Sequence, residues 1–183
     1  MNTTQVLGID QGTYQSAWVL WNGQTVLGHG IEPNFILIDR LRNWPMPYPD
    51  FAIEELVSYG PKTASHELLD AAYIGGVFVG TWPGILHITR MRRVDIKKHL
   101  CGTIAGVNDA VLRGELIHRF GGKEKAVGKK ATPGPFYGIK SHTWQALALA
   151  VAVWDQVTLE RVLPLDAEYE QSEIKEHDRD RKA

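Results

Sequence analysis

The chain has 183 residues, of which 44% are hydrophobic and 22% charged, and its formal net charge is −1. That size and composition are typical of one soluble globular domain. The single cysteine, Cys101, excludes an internal disulfide and cannot form a structural zinc site alone. No run reaches the roughly 18 apolar residues of a membrane span, and the N-terminus lacks the pattern of a signal peptide. We therefore expect a cytoplasmic protein with no membrane partner.

The strand-like segments come first along the chain. The runs "TQVLGID" (4–10) and "QSAWVLWNG" (15–23) are typical of strands, and Asn22–Gly23 is a strong hairpin signal into "QTVLGHGI" (24–31). The pattern predicts three antiparallel strands at the N-terminus.

Helices and single strands follow. "NFILIDRLRNW" has helical spacing and stops before Pro45, "FAIE" indicates a short buried strand, residues 63–78 a helix, and "ILHITR" another strand. Further helices are predicted in "RRVDIKKHLCG", in "VNDAVLRGELIHRFGG", which starts at Asn108 or Asp109, and in "SHTWQALALAVAVWDQV". Between the last two, "GGKEKAVGKKATPGPFYG" indicates a flexible basic loop. The order predicts an α/β fold with a mixed sheet and helices on both faces, in a domain of residues 1–160 followed by a charged, disordered tail at 161–183.

The basic residues are concentrated in the middle of the chain. Between His87 and Lys130 eleven arginines and lysines are opposed by four acids, whereas the C-terminal stretch is rich in acids. A solvated helix surface would explain part of this run, but its density favours a polyanionic partner.

Two acids end predicted strands. Asp10 follows the apolar run "VLGI", and Glu54 ends "FAIE". A carboxylate in an apolar strand is costly unless a cation compensates it, although Asp10 could instead form a tight turn with Gly12. His142 lies in the first turn of the last helix. Carboxylates and an imidazole at the rim of a sheet suit Mg²⁺ or Mn²⁺, whereas the alternative is an exposed acid and an ordinary helix-start histidine.

In order along the chain, "LGIDQGTYQSAWVLW", "FAIEELVSYG" and "GIKSHTWQALALAVAVW" resemble the three catalytic blocks of RuvC-type Holliday junction resolvases. The compact phage-type branch of that ribonuclease H-like superfamily is the most similar, and "TWPG", "VDIKKHLCG", "NDAVLRGELIHRFG" and "PGPFYGIKSH" resemble it too. The resemblance spans about residues 5 to 155. It implies a ribonuclease H-like five-stranded mixed sheet flanked by helices, Mg²⁺ dependence (Mn²⁺ as a substitute), and cleavage of four-way junctions or other branched DNA by a homodimer in a bacterial or phage-infected cell.

Carried over by position, the resemblance makes Asp10 and Glu54 catalytic metal ligands and puts His142 where the family has an aspartate or a histidine. One turn later, many members of the wider family have a further aspartate, and this chain has Gln145. Glutamine is a poor metal ligand, so Asp109 is an alternative fourth ligand or, otherwise, a helix N-cap.

DNA contacts are expected from the basic residues and from one aromatic residue. Tyr59 follows the acidic strand and could stack on an unpaired base, or be a core tyrosine. The predicted DNA-binding residues are Tyr59, Arg92, Arg93, Lys97, Lys98, Lys123, Lys125, Lys129, Lys130 and Lys140.

Three other functions stay open at this point. "GIDQGT" also resembles the opening of sugar kinases of the actin-like fold, but those need two such domains. A related nuclease of ribosomal RNA processing shares the first strand and a metal site. A third reading is a non-catalytic protein that binds branched DNA, with a metal site weakened by Gln145.

Overall fold

The computed structural model describes residues 4–58, 65–84 and 87–162. Its central feature is a five-stranded sheet with the strand order β3-β2-β1-β4-β5. The strands are β1 (Val6–Asp10), β2 (Gln15–Trp21), β3 (Val26–Pro33), β4 (Asp50–Glu55) and β5 (Ile88–Arg92). The first three pair antiparallel, whereas β1, β4 and β5 run parallel. The predicted mixed sheet is therefore confirmed.

Six helices are present in the described part of the chain: α1 (Asn34–Arg42), α2 (His66–Thr81), α3 (Arg93–Cys101), α4 (Asp109–Arg119), α5 (Lys123–Ala126) and α6 (Thr143–Val162). Two helix ends have the residues that the sequence predicted there. Gly102 ends α3 with a left-handed φ of 71°, and the Asn108 side chain caps α4 by accepting hydrogen bonds from the amides of Ala110 and Val111. None of these helices is long and apolar enough to cross a membrane.

The helices cover both faces of the sheet, as predicted. On one face, Leu7, Ile9, Phe51 and Ile53 pack with residues of α1 and α2. On the other face, alternate residues such as Val6, Val19 and Ala52 pack under α6, α3 and α4. The strands read as continuous apolar runs because both of their faces are buried.

Helix α6 lies directly on the backbone of β1. A Cβ atom added to Gly8 would come within 2.9 Å of the Cβ of Ala150, closer than carbon atoms approach in folded proteins. The absence of a side chain at Gly8 therefore fixes how close α6 lies to the sheet.

The segment predicted as a flexible basic loop contains regular structure instead. It forms α5 and a two-stranded hairpin of β6 (Gly128–Lys129) and β7 (Thr132–Pro133). Ala126 and Phe136 are fully buried, and the Phe136 ring contacts Trp21 and Phe120 at centroid distances of 5.7 and 4.6 Å. We call residues 123–133 the lysine hairpin. Ala126 within it and Phe136 just after it attach it to the core. These two apolar residues are too widely spaced to give a periodic signal in the sequence.

Candidate active site

Three parallel strands end at one edge of the sheet, and the two predicted acids lie there. Asp10 is the last residue of β1, and Glu54 of β4 directly follows Ile53, which pairs with Ile9 at the end of the β1–β4 ladder. The side-chain amide of Gln11 donates a hydrogen bond to the Glu54 carbonyl oxygen at 2.6 Å. This bond ties the two strand ends together beside the carboxylates.

His142 faces the same edge from the start of α6. Its Nδ1 atom lies 3.3 Å from Oδ2 of Asp10, and its side chain is 66% exposed. Ser141 has a left-handed φ of 49°, which is uncommon for a residue with a side chain, and the Thr143 hydroxyl closes the turn by bonding the amide and carbonyl of Lys140. This turn presents the imidazole to Asp10 while leaving most of the side chain exposed to solvent.

Arg93, the first residue of α3, bridges two acids of the site. Its Nη1 donates to Oε2 of Glu54 at 3.0 Å, and its Nη2 donates to Oδ1 of Asp109 at 2.8 Å. The Glu54 side chain is only 14% exposed, so this ion pair is shielded from water.

Asp109 belongs to the site and is not the N-cap of α4, because Asn108 has that role. Its second oxygen, Oδ2, accepts a hydrogen bond from Nε2 of Gln145 at 3.0 Å. The N-cap interpretation of Asp109 is therefore wrong, and the sequence offered no means of seeing its two partners. Glu55 follows Glu54 but is exposed, as expected for the next residue along a strand.

The buried carboxylates of the site resist ionisation. Burial raises the pKa of Asp10, and the charges of Arg93 and His142 offset this only in part. Burial likewise raises the pKa of Glu54 against the opposing charge of Arg93. The pKa of Asp109 is lowered despite burial, because Gln145 and Arg93 stabilise its ionised form. When Asp10 and Glu54 are ionised, the single guanidinium of Arg93 therefore does not fully compensate their negative charge.

The donor types at this edge fit a divalent ion. Carboxylates and a neutral imidazole are the ligands expected for Mg²⁺ or Mn²⁺, and buried carboxylates with raised pKa values gain from an added cation. Within residues 4–58, 65–84 and 87–162, however, no three His, Cys, Asp or Glu side chains are arranged as a ready metal cage. Arg93 engages Glu54 and Asp109 in the arrangement seen here.

The predicted DNA-binding residues fall into two groups. Arg93 is in the site, Lys97 is close enough to lower the pKa of Asp109, and Lys140 is exposed just before His142. Arg92 makes a two-point ion pair with Asp95, and Lys98 is exposed one residue beyond Lys97. Tyr59 lies outside the described residues.

The second group, at the opposite end of the sheet, consists of Lys123, Lys125, Lys129 and Lys130, which are exposed on the lysine hairpin. Just after the hairpin, the carbonyl of Pro135 accepts a hydrogen bond from the amide of Val26, the first residue of β3. The next residue, Phe136, contacts Trp21, and Trp21 pairs with Val6 at the start of β1. The hairpin is therefore anchored near the start of β1, about one strand length, or ~13 Å, from the edge that carries Asp10.

Sequence reasoning missed two further parts of this edge. A cavity of about 270 Å³ beside the acids is lined by Arg113, Trp144 and other residues at the starts of α4 and α6. The spacing of Arg113 four residues after Asp109 is a signal that could have found it, since such residues share a helix face. Gln11 gave no comparable signal, because its partner is a backbone carbonyl 43 residues away.

The sheet order, with acids at the ends of the central parallel strands, gives the chain an α/β fold of the ribonuclease H-like type. Within that class the chain has a RuvC-like fold. It is similar to the Thermus thermophilus RuvC structure with a TM-score of 0.56 and 16% identity over 85% of this chain and 96% of that one. It is also similar to T. thermophilus RuvC in complex with a Holliday junction substrate, with a TM-score of 0.49 and 19% identity over 81% and 92% of the two chains. No protein-family model and no curated protein sequence matches the chain.

Proposed function

We propose that this chain is a metal-dependent endonuclease that hydrolyses phosphodiester bonds in branched DNA, four-way junctions above all, as a homodimer. The observation that carries the proposal is the meeting of Asp10, Glu54, Asp109 and His142, from three elements and the turn before α6, at one edge of the sheet. The RuvC-like fold and the resemblance of the three sequence blocks support the same function.

In this proposal Asp10, Glu54 and His142 hold Mg²⁺ or Mn²⁺, with Asp109 as a further carboxylate. The ion, when bound, supplies Lewis-acid activation of water and compensates charge on the phosphate. Asp10 orients the imidazole through Nδ1, which leaves Nε2 of His142 for ligation or for receiving a proton from the attacking water. Gln11 keeps Glu54 in place through its backbone carbonyl.

The basic groups then bind the DNA backbone. Lys97, Arg113 in the adjacent cavity, and Lys140, two residues before His142, suit the phosphates around the cut. The lysine hairpin suits phosphates of a DNA arm farther away, since it is anchored at the other end of the sheet.

The homodimer follows from substrate symmetry. A four-way junction presents two equivalent strands, so paired cuts need two active sites related by a two-fold axis. Helices α2 and α4 are the two candidates for the interface. On α4, Leu112 and Leu116 are buried in the core, whereas α2 leaves Leu69 and Tyr73 exposed, the latter at 72%. We therefore favour α2 as the surface that the partner covers.

The test compares three substrates: a four-way DNA junction, linear duplex DNA and a ribosomal RNA precursor. Each is incubated with the protein in Mg²⁺, Mn²⁺ or EDTA, alongside D10N and the control D39N. Asp39 is an exposed acid on α1, outside the site and away from α2, so D39N should behave as wild type. We expect symmetric cuts in the junction with either metal and none in EDTA or with D10N.

Other outcomes would replace the proposal. Cleavage of the RNA precursor and not of the junction would identify an RNA-processing nuclease. Tight junction binding with no cleavage under any metal would identify a binding protein that does not cut.

A further inference from the structure

Arg93 occupies its place because of the strand that precedes it. Strand β5 runs parallel to β4, and Glu54 pairs with Met91, so the residue opening α3 emerges beside the Glu54 carboxylate. Asp109 approaches from α4 on the other side. A cation at this position is thus built into the sheet edge by topology.

The way in which Arg93 contacts its acids differs from that of two other arginine ion pairs. Arg40 and Arg119 each place two nitrogens on a single carboxylate, of Glu32 and Asp155 respectively. That fork geometry is the strong and specific one. Arg93 divides its two nitrogens between Glu54 and Asp109, so each carboxylate receives a single contact. Each of these contacts is easier to exchange than a two-point pair.

The two acids that Arg93 joins are not equally held. Asp109 has a second partner in Gln145, and its side chain is 55% exposed, whereas Glu54 is 14% exposed and its side chain is bonded to Arg93. Among the basic groups acting on Glu54, Arg93 makes the largest contribution to stabilising its ionised form. A cation arriving at the site would therefore compete with Arg93 chiefly for Glu54.

We propose that Arg93 is the exchangeable counter-cation of the metal-free site: it compensates Glu54 until a divalent ion takes that carboxylate, and it then stays attached to Asp109. The inference rests on the proposed metal-dependent function. It assigns Arg93 to the control of metal entry, as a positioning residue, in place of the simple phosphate contact expected from its sequence context.

The test measures Mn²⁺ binding and thermal stability, not cleavage. R93Q removes the competing cation, and R40Q is the matched control, since it also breaks an arginine–glutamate pair but lies on α1. We expect R93Q to bind Mn²⁺ at least about tenfold more tightly than wild type in calorimetric titration, because the ion no longer displaces a positive charge. Its Tm in EDTA should fall and should recover more than that of wild type when Mn²⁺ is added. R40Q should bind Mn²⁺ as wild type does.

Two results would separate this inference from the function on which it rests. If wild type binds Mn²⁺ and R93Q binds it equally or more weakly, the role of Arg93 is overturned while the metal site stands. If neither wild type nor R93Q binds Mn²⁺, both are overturned. Should R93Q not fold in EDTA, R93K takes its place: one ammonium is a poorer bridge between two carboxylates, so tighter Mn²⁺ binding than wild type is again expected, and unchanged binding overturns the inference.

Discussion

Gln145 holds Asp109 in the site: its Nε2 donates to Oδ2 of Asp109 at 3.0 Å. The resemblance of the sequence blocks implies an acid at position 145, and this chain has an amide there instead. In the contact with Asp109, α6 supplies the amide and α4 supplies the carboxylate. The first turn of α6 therefore supports an acid of the site without carrying one itself at position 145.

Asp10 is one of the two buried strand-end acids on which the proposed chemistry depends. We expect D10N to lower junction cleavage by at least about a hundredfold, the scale of losing one group that stabilises developing charge. Junction binding should be unchanged or stronger, because one negative charge near the DNA is removed. Single-turnover cleavage and binding titrations check both, with D39N on α1 as control. A D10N protein that cleaves normally would mean that Asp10 only shapes the turn.

The metal-free protein should lose stability as the pH rises. Burial raises the pKa values of Asp10 and Glu54 above 3.8 and 4.5, so the folded state holds protons that the unfolded state releases. Stability from these two groups is therefore present at low pH and lost as the pH rises from those values through the raised ones. In EDTA, D10N should be more stable than wild type near pH 8 by roughly 1 kcal/mol, or ~2–4 °C in Tm. Melting curves at about pH 5 and pH 8 test this, and equal slopes with pH for the two proteins would contradict it.

Asp155 gives the opposite pH response, because its pKa is lowered in the folded state. It accepts bonds from Arg119 and contacts His99, which lowers its pKa despite burial. Its contribution is present above 3.8 and is lost as the pH falls through the lowered value. A D155N variant should therefore flatten the acid side of the stability profile and leave the alkaline side unchanged.

His142 tests whether the imidazole takes part in the reaction. Its exposed ring contributes little to the core, so H142A should fold normally and yet cleave at least about a hundredfold more slowly. H142D should retain cleavage, because a carboxylate can replace an imidazole as a metal ligand. Cleavage by H142A at the wild-type rate would leave His142 a helix-start residue.

The lysine hairpin should affect binding without affecting the chemical step. Changing Lys123, Lys125, Lys129 and Lys130 to glutamine should weaken junction binding, with the salt slope falling by about 0.9 per lost phosphate contact. At saturating protein the cleavage rate should match wild type, since the hairpin is anchored about a strand length from Asp10. R40Q/R42Q, on the opposite face of the sheet, is the control for general charge. An unchanged slope would show that the hairpin points away from DNA.

Helix α2 should carry the dimer contact. L69K/Y73K places two charges on its exposed apolar face and should give a monomer in sedimentation at micromolar concentration, where wild type is a dimer. V111K, on the exposed side of α4, distinguishes the two helices and should leave the dimer intact. A wild-type monomer both free and on a junction would remove the homodimer from the proposal.

Local sequence signals predicted most helices and strands, but they did not predict contacts between residues far apart in the chain or strands of only two residues. Asn22 and Gly23 predicted the β2–β3 turn because Asn22 acts on its own neighbours, accepting bonds from the amides of Gln24 and Thr25. The strand-end acids could be predicted because each directly follows its own apolar run, and neighbouring parallel strands end at a common edge. Arg93 looked like one more base in a basic run, because its partners lie 39 and 16 residues away. The two-residue strands of the lysine hairpin were missed because they are too short to show any period.

The spacing of the site depends on a residue that binds nothing. Gly8 lies two residues before Asp10 and lets α6 rest on β1, and α6 begins immediately after His142. A methyl group at Gly8 would push the helix outward and lengthen the 3.3 Å separation between Asp10 and His142. Evolutionary selection for the chemistry should therefore restrict position 8 as strictly as the ligands themselves, although nothing in the reaction touches it.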